Sequence, residues 1–365
     1  MAKKIKKFKI PNFLKIHKRR AIIFIASFCA LSGFGVLYFA HGPYPNLFGR
    51  TIDIETNIEK GEVVKFDTHP LTGRTCENAK SRPIAVMLAE DPVTRPLSGI
   101  SKADLVVEMP VVKDGITRIM AVFVCEEPEE IGSVRSSRDD FIPLAASFDA
   151  IYAHWGGSHF ALDRLNGGAV DNIDALINPF SVFFRKNTIA APHNGFTSYE
   201  KLRSTAEKLG YRTNTLFEGY PRAQNNPDDS GNSVTISVEY PYPVNVSYIY
   251  NRDKNIYYRW RGGTPEYDKI DGSQASASVL VVMKTQTRNL EGEYNDVDVT
   301  GEGEAFIFQN GRMEKVKWKK AQNPTESKLG FFDSNGNEVP FVPGKIWIHV
   351  TDTYTNVLWG EKIAE

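Results

Sequence analysis

Cysteine is scarce in this chain, and the common short catalytic signatures are missing. Only three cysteines occur in 365 residues, and none belongs to a C-x-x-C pair, so neither a zinc ribbon nor a dithiol redox motif is indicated. The sequence also lacks G-x-S-x-G, a P-loop and H-E-x-x-H. These motifs mark serine hydrolases, P-loop NTPases and zinc proteases, in that order. The spacing of Cys76 and Cys125 permits a disulfide but does not imply one.

Carboxylates are absent from residues 1–20, which contain nine Lys and Arg. The whole chain has 44 basic and 44 acidic residues, so these nine leave 35 basic residues against 44 acidic ones in the remainder. A nucleic-acid-binding face is normally basic. The acidic remainder therefore argues against nucleic acid as the main partner.

Charge is also absent from residues 21–40, a run of twenty mostly apolar residues. A helix of that length spans about 30 Å, the thickness of a bilayer core. The basic arm at residues 1–20 predicts that the N-terminus stays in the cytoplasm and that the bulk of the chain lies outside the cell membrane. We also expect the arm to contact anionic lipid headgroups on the cytoplasmic side of the membrane. We expect a single-pass anchor, with a cleaved signal peptide as the alternative.

The remaining chain divides by composition into a stalk and two domains. Residues 41–82 are rich in Pro, Gly, Thr and Asn, and predict a stalk or linker. Strands are predicted at the apolar runs 84–89, 103–111 and 116–124. Strands alternating with helices predict an α/β (α+β) domain with a mixed sheet at residues 83–220. Residues 221–233 read as a linker, and regular strands with Asn-Gly turns predict a mainly antiparallel β domain at residues 234–365.

Arginines mark the turn after the third predicted strand. Arg135 and Arg138 flank two serines, and Arg118 lies on the strand that leads towards them. Guanidinium groups offer forked donors that suit phosphate or carboxylate. If the next helix began near Ser137, its free amides would point to the same place.

The same turn has a structural interpretation of equal weight. Ser137 is a good helix cap, and Asp139 and Asp140 would complement the dipole of the first turn. Two carboxylates would repel an anion unless a divalent cation neutralised them, so Asp139 and Asp140 are candidate metal ligands. No cofactor is certain, and a divalent cation is the one the residues suggest.

Two histidines extend the candidate site. His154 ends a predicted strand before Trp-Gly-Gly, where α/β sheets open ligand crevices. His193 and Asn194 lie in Ala-Pro-His-Asn-Gly, a turn. Each histidine alone is more often structural, but two histidines and three arginines in one domain favour a ligand-binding cleft.

Glu108 is a carboxylate inside the apolar run LVVEMPV. Such a residue either faces solvent by alternation or is buried against a cation. We expect a structural ion pair with Arg118 on the neighbouring strand.

Several of these motifs together resemble a known family. The segments RPIAVMLAEDPVTRPLSGISKADLVVEMPVVKDGITRIMAVF, IGSVRSSRDDFIPLA, DAIYAHWGGS and APHNGFTS are similar to the YerB-like family of Gram-positive envelope lipoproteins, a domain of unknown function. The segment GEGEAFIFQNGRMEKVKWKK resembles that family's second domain. The resemblance implies surface display, usually through a lipidated cysteine, which a transmembrane helix would replace here. It implies no established activity.

A shorter likeness concerns the order TRIMAVFV, VRSSRDD, DAIYAHWGG. It is similar to the LytR-CpsA-Psr cell-wall transferases, which bind a polyprenyl pyrophosphate through arginines and a divalent metal. We therefore expect an anionic, phosphorylated envelope ligand in a cationic cleft. A protein–protein interaction module and a metal-dependent phosphotransferase are the alternatives.

Overall fold

The computed structural model describes residues 67–228, 234–241, 243–292 and 294–361. Val64–Glu365 forms one compact unit. The predicted arm and transmembrane helix, and residues 41–66 of the stalk, lie outside the described part of the chain. Within that part, no helix has the length and apolar character needed to cross a membrane.

Strands dominate the described residues, and the helices are few and short. The α-helices are α1 (Phe141–Ser147), α2 (His159–Asn166) and α3 (Tyr199–Lys208), with 3₁₀ turns at Pro92–Thr94, Ile100–Lys102 and Pro179–Ser181. The strands are β1 (Ile84–Ala89), β2 (Leu105–Pro110), β3 (Thr117–Phe123), β4 (Ile131–Gly132), β5 (Ile151–His154), β6 (Asn172–Asp174), β7 (Phe184–Arg185), β8 (Gly195–Thr197), β9 (Val234–Val238), β10 (Val246–Asn251), β11 (Ile256–Arg261), β12 (Thr264–Pro265), β13 (Ser276–Ala277), β14 (Val279–Thr285), β15 (Thr287–Asn289), β16 (Asn295–Val297), β17 (Gly301–Gln309), β18 (Arg312–Lys320), β19 (Gly330–Phe332), β20 (Ile346–Asp352) and β21 (Val357–Glu361).

A ten-stranded mixed sheet runs through both halves of the chain, in the order β19-β18-β17-β14-β20-β2-β3-β1-β5-β6. β2 and β20 join the halves in parallel, with Leu105 opposite Ile346 and Glu108 opposite His349. The N-terminal strands form the mixed sheet that the sequence predicts. The C-terminal half contributes to more than one sheet. Five of its strands continue the large sheet, and the others form sheets of their own.

Both faces of this sheet are covered, which explains why its central strands are apolar throughout. On β1, Ala85 and Met87 pack into one core with α1. Ile84 and Val86 pack into the other core, with α3 and the second sheet. Strands buried on both faces read as continuous hydrophobic runs, and every residue of β1 is buried.

The second sheet is antiparallel and comes wholly from the C-terminal half. Its order is β12-β11-β10-β9-β21, and β13 also pairs with β11. Residues 256–261 of β11 alternate between half-buried and buried positions, so one face packs on the large sheet. Two smaller sheets, β4-β8-β7 and β15-β16, complete the described fold.

Two segments predicted as connections belong to the folded unit. Within the predicted stalk, Leu71 is fully buried, and Cys76 forms a disulfide with Cys125, so the stalk prediction is wrong for residues 67–82. The predicted linker is described as far as residue 228. There Ala223 donates its amide to Phe341 and Asp228 to Asn310, so this part is tied to the C-terminal half.

Local turn and cap chemistry accounts for several boundaries. Asn310 and Gly311 have φ of 55° and 74° and close the predicted hairpin between β17 and β18, as a type I′ turn requires. Ser198 caps α3 by accepting the amide of Lys201, although the sequence Thr197-Ser-Tyr-Glu200 also fits a capping box that begins at Thr197. The Thr197 hydroxyl instead donates to the Val182 carbonyl at 3.0 Å.

Candidate anion-binding site

The end of β1 brings the three predicted arginines together. Arg118 on β3 is paired with Ala89, the last residue of β1. Arg135 donates its backbone amide to Met87 on the same strand at 2.8 Å. The Arg118 Nη1 then donates to the carbonyl of Ser136 at 2.8 Å, midway between Arg135 and Arg138 in the chain. We call Arg118, Arg135 and Arg138 the arginine cluster.

Arg118 is the buried member of the arginine cluster, with 5% of its surface exposed. Its Nε is enclosed and makes no hydrogen bond. In the described part of the chain, neither Arg118 nor Arg135 has a carboxylate oxygen within 4.0 Å. Burial, together with the nearby charges of Arg138 and Arg135, lowers the pKa of Arg118 to about 9. The cluster therefore concentrates positive charge around a desolvated guanidinium.

His193 lies at the edge of the arginine cluster. Arg135 Nη1 is 3.4 Å from the carbonyl of Pro192, and the Ser133 hydroxyl donates to the His193 carbonyl at 2.5 Å. The His193 Nδ1 is enclosed without a hydrogen bond and lies 3.7 Å from a carboxylate oxygen of Asp91. The nearest charged group to this enclosed ring nitrogen is therefore the Asp91 carboxylate and not an arginine of the cluster.

His154 and Asn194, also predicted in the cleft, have structural contacts instead. His154 is fully buried, and its ring nitrogens lie 2.8 Å from the Gly156 carbonyl and 3.2 Å from Asn172 Oδ1. Asn194 accepts from Arg185 at 2.6 Å and donates to the Lys186 carbonyl. Because these atoms are already bonded, neither side chain is free to take a ligand.

The helix after the arginine cluster does not contribute the predicted amides. α1 begins at Phe141 with Asp140 in the cap position, so the prediction of a start near Ser137 is wrong. The Ser137 hydroxyl instead pairs with the Tyr152 hydroxyl at 2.9 Å inside the core. The anion site therefore depends on side chains and not on a helix terminus.

Asp139 and Asp140 line a cavity of about 170 Å³ together with Asp296, Asp298 and Arg164. None of the three arginines of the cluster borders it. Burial first, and then Asp139, raises the pKa of Asp140 well above its usual value. Among the described residues, no group of three or more His, Cys, Asp or Glu is arranged to hold a metal ion.

Glu108 is buried, but its partner is not Arg118. The β2–β3 register sets Glu108 opposite Ile119 and Arg118 opposite Met109. Adjacent residues on a strand point to opposite faces, so this predicted pair is wrong. The partners of Glu108 are Arg259 and Arg261 of the second sheet.

These three residues belong to a buried layer of ionisable side chains between the two sheets. Arg261 Nε lies 2.7 Å from Glu90, and Arg259 Nε lies 2.6 Å from Glu266. The layer consists of fully or almost fully buried side chains: Glu90, Glu108, Arg259, Arg261, Glu266 and His349. One sequence signal was available, because alternation along β11 sets both arginines on its buried face.

The comparisons with known proteins agree with this architecture. Two domain families, described as "Protein of unknown function (DUF3048) N-terminal domain" and its C-terminal domain, match residues 71–212 and 236–348. The Bacillus subtilis (strain 168) protein named "Putative lipoprotein YerB" is 31% identical over 289 residues, which cover 77% of this chain and 85% of that protein.

A solved structure also matches. The crystal structure of the YerB protein from Bacillus subtilis superposes with a TM-score of 0.72 at 29% identity, and the match covers 81% of this chain and all of that one. The two domains and the sheet-rich fold with few helices are thus shared. The chain belongs to the DUF3048 family of YerB-like proteins, whose function is unknown.

Proposed function

We propose that the protein binds a phosphorylated or otherwise anionic envelope ligand at the arginine cluster. The main support is the burial of Arg118. Its surface is 5% exposed, and among the described residues no carboxylate lies within 4.0 Å of it. Burying a cation that has no contacting counter-ion costs free energy. Asp91, which lies further away, offsets only part of that cost, since the pKa of Arg118 is still lowered. A phosphate or carboxylate accepting from Arg118 and Arg135 would offset that cost through charge-assisted hydrogen bonds.

The proposed location is outside the cell membrane, with residues 21–40 as the attachment. The Cys76–Cys125 disulfide supports this location, because disulfides persist mainly in oxidising compartments. The name of the Bacillus subtilis relative, which calls it a lipoprotein, is consistent with attachment to a membrane.

Binding of glycerol 3-phosphate, measured by isothermal titration calorimetry on the full chain in detergent, tests the proposal. Arg118→Gln and Arg135→Gln should each weaken binding about tenfold or more, since a hydrogen bond to a charged group contributes about 1.5–3 kcal/mol. The matched control is Arg312→Gln, whose guanidinium is 55% exposed and pairs with Asp228. We expect this control to bind like the wild type.

Two results would remove the proposal. One is a wild-type protein that binds no phosphate ester; the other is equal affinity in all three variants. A large fall in melting temperature for Arg135→Gln would instead assign the cluster to scaffolding and favour an interaction module. No metal enters the proposal, since Asp139 and Asp140 line a cavity that the arginine cluster does not border.

A further inference from the structure

A strip of exposed apolar residues lies beside the arginine cluster. Within residues 175–192, which we call the apolar loop, Leu176 is 66% exposed, Ile177 76% and Phe180 59%. Four of the thirteen large exposed apolar side chains in the described part of the chain lie here, the fourth being Phe184. Contiguous apolar exposure of this kind marks a contact surface.

The backbone holds this loop in its exposed form. The Asn178 side chain accepts from the Phe183 amide at 2.8 Å and donates to the Phe183 carbonyl at 3.2 Å. Val182 and Phe183 are buried and anchor the loop. Phe180, which lies between Asn178 and Val182 in the sequence, has a φ of 56°. Left-handed backbone is unfavourable for a phenylalanine and persists at sites where the surroundings enforce it. Phe180 is therefore held in an exposed position.

The apolar loop itself contains only basic charged residues, and its carboxylate neighbours come from outside it. Glu130 pairs with Lys186, and Asp174 accepts the amide of Leu176. No Asp or Glu occurs from residue 175 to residue 199, although the whole chain has 44 of them. The loop carries Arg185 and Lys186, and the Lys208 ammonium lies 5.4 Å from the centre of the Phe180 ring. Exposed apolar side chains next to cations are typical of segments that enter the interface of an anionic membrane.

Direct contacts join the apolar loop to the arginine cluster. The Leu176 side chain lies against Gly156. A Cβ atom added to Gly156 would lie only 2.9 Å from Leu176 Cδ1. The preceding residue, Trp155, donates its amide to the Arg135 carbonyl at 3.0 Å. At the other end of the loop, Arg135 Nη1 lies 3.4 Å from the Pro192 carbonyl. A molecule with an apolar tail and an anionic head would meet both surfaces at once.

We infer that the apolar loop enters an anionic lipid surface and that the anion bound at the arginine cluster is a lipid phosphate headgroup. This inference rests on the proposed function for the headgroup. The exposed cations Arg185 and Lys208 beside the apolar side chains, together with the contiguity of the two surfaces, favour an anionic lipid as the occupant.

Vesicle co-sedimentation of residues 64–365, which form one compact unit, tests the inference without the predicted anchor. The probes are phosphatidylcholine vesicles with and without phosphatidic acid. Leu176→Ser combined with Ile177→Ser should reduce binding to the phosphatidic acid vesicles about tenfold or more, because two apolar side chains no longer leave water. Leu216→Ser combined with Ile270→Ser is the matched control, since these residues are 72% and 50% exposed elsewhere.

The soluble ester separates this inference from the proposed function. We expect the loop double variant to bind glycerol 3-phosphate as the wild type does. If that variant sediments like the control double variant while Arg118→Gln loses glycerol 3-phosphate, the lipid inference is overturned and the anion site stands. If the wild type binds neither the ester nor the phosphatidic acid vesicles, both fail.

Discussion

Arg259 Nη2 lies 2.8 Å from Glu108 Oε2, and neither side chain is exposed to solvent. This ion pair connects β11 of the second sheet to β2 of the large sheet. Arg261 approaches the other oxygen of the same carboxylate. Two buried cations therefore share one carboxylate at the interface between the sheets, and the fold is sensitive to its charge.

Replacing Glu108 should destabilise the protein strongly. In Glu108→Gln two buried guanidinium groups lose their shared counter-charge, and such a loss costs about 3–5 kcal/mol. Urea denaturation followed by circular dichroism measures the free energy of unfolding. The control is Glu302→Gln on the exposed pair with Lys319, which should leave the midpoint unchanged. A Glu108→Gln midpoint equal to the wild type would show that the buried pair adds no stability.

The same substitution should have different effects on two arginines. Arg259→Gln removes a buried counter-ion and should cost about 3–5 kcal/mol. Arg135→Gln removes a cation with no carboxylate within 4.0 Å in the described part of the chain, so its unfolding free energy should stay within about 0.5 kcal/mol of the wild type or rise. Comparable losses in both variants would assign a structural role to Arg135.

His349 predicts a dependence of stability on pH. Burial lowers its pKa to about 3 from an ordinary 6.5, so the folded state keeps the ring neutral where the unfolded chain takes up a proton. Stability from this group is complete above about pH 6.5 and is lost as the pH falls towards 3. We expect the acid limb of a stability profile to be flatter in His349→Gln than in the wild type.

Titration of Glu90 changes the stability with pH in the opposite direction to His349. The quantity to compare is therefore the difference in unfolding free energy between the wild type and His349→Gln at each pH. Burial raises the pKa of Glu90 to about 8 from 4.5, so its contribution falls as the pH rises between those values. Glu90 titrates in both proteins, and the subtraction isolates the histidine to a first approximation. Identical profiles would mean that the pKa of His349 is the same in the folded and unfolded states.

The disulfide should contribute substantially to stability. Cys76 and Cys125 are 49 residues apart, and closing a loop of that length is worth about 4 kcal/mol in the chain-entropy account. Thermal unfolding of the Cys76→Ser and Cys125→Ser double variant measures the loss. A reductant should lower the melting temperature of the wild type and leave that of the double variant unchanged. An equal response of both proteins would contradict a disulfide role.

Local patterns were sufficient for much of the fold. The run at residues 84–89 predicts β1 to the residue, and Asn310-Gly311 predicts the β17–β18 hairpin, because burial and turn chemistry act over short distances. The proximity of Arg118 to Arg135 also has a local origin, since the turn after β4 returns to β1.

Long-range pairing was beyond those patterns. Position on adjacent strands predicts Arg118 as the partner of Glu108, but its partners lie on β11, more than a hundred residues away. No sequence pattern in β2 or β20 indicates that these two strands pair in parallel. Apolar strands specify burial without specifying which strand they join.

The position of β20 has a consequence for the order of synthesis. This strand lies between β14 and β2 in the middle of the large sheet, yet it begins only at Ile346 of 365 residues. A ribosome must add more than two hundred residues after Pro110, the last residue of β2, before that strand exists. Until then one edge of β2 has no partner strand and is open to pairing with other chains. The N-terminal strands therefore pass through a stage of synthesis in which the centre of the future sheet is an exposed edge.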